Sequence, residues 1–121
     1  MSVLVSAGRP VTVAELRTLA PSLRQSSTYR NLTLLRAAGL VAEVTTTDGI
    51  LRFELADPPG THHHHLRCTS CGEVTNIEMP DDVERAIKRE ALRWREERAF
   101  QTASHLLELE GLCPRCAGIP D

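Results

Sequence analysis

Residues 61–72 read THHHHLRCTSCG, four consecutive histidines followed by a Cys-x-x-Cys pair. A second pair, Cys113 and Cys116, stands near the end of the chain. The chain has 4 cysteines and 5 histidines, so these motifs hold every thiol and all imidazoles except His105. Cys68, Cys71, Cys113 and Cys116 can supply four thiolates to one tetrahedral ion, the usual structural zinc arrangement. The alternative is two separate redox pairs. Gly72 and Pro114 suit tight turns around the thiols. A shared ion would pin the last strand beside the first strand of this half.

The histidines divide by parity. In an extended strand, successive side chains point to opposite faces. His62 and His64 then face one way, and His63 and His65 the other. One strand offers two imidazole pairs to two sites, and each pair needs further ligands. A tag or solvated loop is the bland alternative, but the run is internal and leads directly into thiol ligands. His105 lies on the inward side of an expected strand, a position also open to an ordinary core histidine.

The elements that must position these groups can be read in order. Thr12 and Glu15 form a capping box ahead of Leu16 and Leu19, and that helix stops at Pro21. A second helix starts at Gln25-Ser26-Ser27 and runs to Ala38, with Leu32 and Leu35 on its inner stripe and Gly39 after its end. LVAEVTTTDGILRFEL is a hairpin turning at Asp48-Gly49. Leu51, Phe53 and Leu55 share one face of its second strand, and Arg52 and Glu54 the other. Helix, turn, helix and hairpin make a winged helix-turn-helix, whose second helix enters the major groove. The prolines and glycine of ADPPGT mark a linker. Residues 1–56 are therefore read as a DNA-binding domain, 57–61 as a hinge linker, and 62–121 as a second domain.

In the second half, two strands flank the first Cys-x-x-Cys turn. A helix begins at Pro80-Asp81-Asp82, with Val83, Ala86, Ile87, Ala91 and Trp94 on one face. A final strand runs roughly from Thr102 to Glu110. The fold class expected is α+β.

Charge is uneven. The net charge is -2, yet residues 1–40 carry Arg9, Arg17, Arg24, Arg30 and Arg36 against Glu15 alone, leaving the remainder acidic. A basic front half suits a polyanion such as DNA. No apolar run is long enough to span a bilayer, and no signal peptide is evident, so a cytoplasmic location is expected. Thiols are kept reduced there, which favours metal over disulfides.

Taken together, STYRNLTLLRAAGLV, HHHH-x-x-C-x-x-C-G-x-V and the terminal C-x-x-C resemble the ferric uptake regulator family over nearly the whole chain. The resemblance implies a homodimeric, metal-dependent repressor that binds double-stranded operator DNA. It matches Cys68, Cys71, Cys113 and Cys116 to a structural Zn2+ site. It matches His62, His64, Glu84 and His105 to a site within the dimerisation domain. It matches Glu54, His63 and His65 to a regulatory site between the domains, for Fe2+, Mn2+, Zn2+ or Ni2+. Ser27, Thr28, Tyr29 and Arg30 match the helix that meets DNA. Arg24, Arg30 and Arg36 are candidates for phosphate contacts, and Tyr29 for a thymine methyl.

Three departures stand out. The family has one or two helices before the capping-box helix, where this chain has VLVSAG, so a first domain truncated at its start is expected. Ala56 stands where zinc-type members often have cysteine, and Asn76 where peroxide-sensing members have aspartate. Asp57, in a longer linker, is a further candidate ligand. The competing expectation is a zinc-stabilised dimerisation or metal-binding module with lost or weak DNA binding. No general base separate from the ligands is evident, so no enzyme and no small-molecule substrate are expected.

Overall fold

The computed structural model describes residues 2–57 and 63–120. The expected linker lies outside the described residues except for Asp57, and so does His62.

The first half opens with a helix that the sequence reading did not anticipate. Ser2–Ala7 forms α1, which buries Leu4 in the core. Next comes α2, Val13–Leu19, started by the expected capping box: Glu15 N–H donates to Thr12 Oγ1 and Thr12 N–H donates back to Glu15 Oε1. Both donors would otherwise be orphaned at the helix start. α3 spans Gln25–Ala37 and ends before Gly39, whose φ of 77° is the left-handed conformation glycine tolerates.

β1 (Val41–Thr45) and β2 (Leu51–Leu55) pair antiparallel as the hairpin. Val11 adds a bridge on the free edge of β2, exchanging two hydrogen bonds with Phe53. Leu4, Val11, Val13, Leu16, Leu32, Val41 and Phe53 form one apolar cluster that fixes α3 on the hairpin. Phe53 is its one aromatic member. Phe53→Ala should cost about 3–5 kcal/mol, read as a lower urea midpoint of this half.

In the second half, β3 (His64–Cys68) lies between β4 (Val74–Ile77) and β5 (Glu108–Gly111). β4 is antiparallel to β3 and β5 is parallel to it. Helix α4, Asp81–Arg98, is the crossover from β4 to β5. Its acidic first turn and basic last turn complement the helix dipole.

One expectation needs correction here. The final strand is shorter than the span from Thr102 to Glu110, because the chain first runs alongside β3 at Leu107, whose carbonyl accepts from His65 N–H. A strand exists only where a ladder partner is beside it. His105 therefore sits in irregular chain ahead of β5. The apolar face of α4 has the expected spacing, yet no α4 residue is buried within the chain. Among the described residues no helix is long and apolar enough to cross a membrane.

Candidate metal centres

Three groups of ligand atoms converge, each with its members within 4.8 Å of one another. The first is Cys68, Cys71, Cys113 and Cys116. The β3–β5 ladder sets Cys68 opposite Gly111, and Thr69 N–H donates to Gly111 O, which delivers Cys113 to the turn after β3. Gly72, at φ 78°, lets the first turn fold back, with its N–H on Cys68 O. All four thiols are free, and Cys71 Sγ lies 3.9 Å from Cys113 Sγ. The sulfurs form one cluster rather than two separate pairs.

The thiols hold one another in unequal states. Backbone hydrogen bonds from Cys113 and Cys71 lower Cys68 to about 6. For Cys116, a hydrogen bond with Ser70 pulls downward, but the neighbouring Cys113 and Cys68 thiols outweigh it and push it up to about 11. Four clustered sulfurs cannot all become thiolates without a cation among them. This donor set fits a soft divalent ion such as Zn2+.

The second group spans the seam between the hairpin and the sheet. Glu54, from β2, places Oε1 3.0 Å from His63 Nε2. The rings of His63 and His65 stand edge to face with centroids 5.4 Å apart. Asn76 Nδ2 donates to the other Glu54 oxygen at 2.8 Å, and Asp57 Oδ2 lies 2.5 Å from His63 Nδ1. His65 Nε2 is buried and has no hydrogen-bond partner among the described residues. Burial lowers the His65 pKa, against the pull of Glu54, and so favours the neutral imidazole. A neutral, buried, unpaired ring nitrogen beside a carboxylate fits a metal ligand.

The third group is His64, Glu84 and His105. Glu84 bridges the two rings, with Oε1 2.6 Å from His64 Nε2 and Oε2 2.9 Å from His105 Nε2. The alternate histidines of β3 thus reach opposite faces of the sheet. His62, expected in this third group, lies outside the described residues.

The DNA-facing expectations divide. Ser27, Tyr29 and Arg30 are exposed on α3, as is Arg24 at its start. Thr28 requires correction as a DNA contact. Its side chain is buried and its hydroxyl donates to Arg24 O at 2.7 Å, so it secures the first turn of the helix instead. Arg36 is paired with Glu43. Two polar partners escaped the sequence reading: Asn76, which holds Glu54, and Arg52, which is 1% exposed. The signal for Arg52 was the polar face that it shares with Glu54 on β2.

Residues 12–110 match the model of the ferric uptake regulator family. The chain belongs to this family. It is 35% identical over 102 residues to the ferric uptake regulation protein of Bacillus subtilis, a match covering 82% of this chain and 64% of that protein. It thus spans less than two thirds of that relative's length. The Vibrio cholerae ferric uptake regulator superposes with a TM-score of 0.70 at 27% identity, over 92% of this chain and 86% of that one. A zinc-bound manganese uptake regulator superposes with a TM-score of 0.68 at 28% identity, over 93% and 86%. The winged-helix half followed by a three-stranded sheet with a crossover helix is the fold these family members share with this chain.

Proposed function

We propose that this Fur-family chain is a metal-responsive DNA-binding regulator, a repressor of metal-homeostasis genes with a divalent ion as co-repressor. One observation carries the reading. Two histidines of the sheet half and one carboxylate of the winged-helix half converge across the seam, with the His65 ring nitrogen buried beside them.

In this reading residues 1–56 bind DNA, 57–61 link, and 62–121 dimerise. Zn2+ at Cys68, Cys71, Cys113 and Cys116 acts as a structural cross-link. Fe2+, Mn2+, Zn2+ or Ni2+ at Glu54, His63 and His65 joins the halves, and a further ion is held by His62, His64, Glu84 and His105. The names of the relatives span iron and manganese regulators, and nitrogen and oxygen donors accept each of these ions.

An ion that binds one arrangement of the halves better shifts the population toward it. A homodimer would then present two copies of α3 to two half-sites. The open face of α4, with Val83, Ile87, Ala91 and Trp94, is available for a second copy. Arg24 and Arg30 serve phosphates and Tyr29 a base edge. A cytoplasmic location and no small-molecule substrate accord with this role.

The test is a titration of promoter DNA at two salt concentrations, with and without added ion, on zinc-repleted protein. Metal-dependent binding that weakens steeply with salt is expected, because each phosphate contact releases counterions. No metal-dependent binding even at low salt would sink the repressor reading in favour of a metal-binding dimerisation module.

A further inference from the structure

The hairpin meets the β4-β3-β5 sheet through several charged and polar groups. Arg52 and Glu54, on one face of β2, are both buried. Arg52 Nη2 donates to Gly72 O at 2.7 Å, in the turn that carries Cys71, and its Nη1 donates to Thr46 Oγ1 at 2.6 Å. At the tip of the hairpin, Thr47 N–H donates to Glu108 Oε1 at 3.1 Å, and its hydroxyl lies within hydrogen-bond reach of both Glu108 Oε2 at 2.6 Å and Glu110 Oε1 at 2.5 Å. Arg67 Nε donates to that same Oε2 at 3.1 Å, while Arg67 Nη1 lies 3.6 Å from Asp48 Oδ2.

These groups share the strand geometry of the seam site. Glu108 is the ladder partner of His65, and Arg67 lies two residues beyond His65 on the same face of β3. The tip and base of one hairpin therefore meet one face of one sheet. At the tip Thr47 bonds to Glu108 and Arg67 pairs with Glu108 and Glu110, and at the base Glu54 faces His63 and His65.

We propose that Thr47, Arg67 and Glu108 are positioning residues for the seam ion: they seat the hairpin tip on the sheet without that ion, so Glu54 already faces His63 and His65. This rests on the reading of Glu54, His63 and His65 as an ion site. A preassembled ligand set spares the ion the cost of ordering the hairpin, which raises affinity. The ion then fixes the base of a hairpin whose tip is already held. It sets the angle of the winged-helix half rather than its attachment.

The amide of Thr47 reports the seat directly, because its acceptor is a side chain on β5. The test uses the full chain with zinc at the four cysteines and other ions stripped. Amide exchange of Thr47 is followed by NMR, and Mn2+ binding by calorimetry. Wild type should protect Thr47 without Mn2+. Glu108→Ala should speed its exchange roughly tenfold or more, as expected for a lost hydrogen bond to a charged group. Val44, within the hairpin ladder, should keep its protection. The same variant should bind Mn2+ several-fold more weakly, and Glu108→Gln, which keeps an acceptor, should recover part of both effects.

High salt applied to wild type should also loosen Thr47, a readout that needs no substitution and cannot be confused with misfolding. Unprotected Thr47 in stripped wild type, or unchanged exchange and Mn2+ affinity in a folded Glu108→Ala, would overturn the proposal. Protected Thr47 with no Mn2+ uptake at all by wild type would instead fail the ion-site reading, and the positioning role with it. Exchange is measured without DNA, so the result does not depend on the repressor reading.

Discussion

Replacing His63 or His65 with alanine is expected to abolish metal-dependent DNA binding, while His64→Ala and His105→Ala should leave it measurable. The two pairs differ in what they connect. His63 and His65 meet Glu54 across the seam, so an ion there ties the hairpin to the sheet. His64 and His105 meet Glu84, all within the second half, so an ion there ties α4 and the approach to β5 onto β3. If Glu54, His63 and His65 are the ligands of a seam ion, loss of one would leave two, and an ion seldom stays on two imidazole or carboxylate donors. Affinity at the seam should fall by about a hundredfold or more, at least the loss caused by removing an outer-shell partner. Metal titrations followed by fluorescence anisotropy on labelled operator DNA would read it. The His64 and His105 variants should instead lower thermal stability. Equal loss of DNA binding from all four substitutions would refute two separate sites on opposite faces.

Loss of one sulfur from the thiol cluster should have the larger effect on the fold. Cys113→Ser is expected to prevent stable zinc retention and to unfold the second half. In zinc-finger peptides the bound ion contributes about 10–16 kcal/mol, far more than a small sheet with no buried residue on its helix can spare. The ion closes a loop containing β4, α4 and β5, and Cys68 is the cluster's one buried member. Zinc content, circular dichroism and sedimentation should show a zinc-free chain with reduced sheet signal and no dimer. The pH dependence has a definite sign. Cys116, near 11 without an ion, is protonated at neutral pH, so zinc binding must release its proton. Zinc affinity therefore falls as pH falls, and proton release on binding is measurable by calorimetry in two buffers. A Cys113→Ser protein that keeps its zinc and its sheet signal would contradict the structural role.

Much of this was legible in the sequence because it is local. The capping box of Thr12 and Glu15, the turn at Asp48-Gly49 and the alternation of His63 and His65 against His64 depend on neighbouring residues and a fixed period. The clustering of Cys68, Cys71, Cys113 and Cys116 followed from paired spacing and thiol chemistry. What only the tertiary structure decided depends on partners distant in the chain. Thr28 turned inward, and its hydroxyl found Arg24 O. The last strand shortened because β3 lies alongside it only from Leu107 onward. Arg52 and Glu54 read as the polar face of a hairpin strand, which ordinarily meets water. They are buried because the sheet offers Gly72 O, His63 and Asn76 in the positions water would fill. Strand period says which side chains share a face, and only the packing of one layer on another says what that face meets.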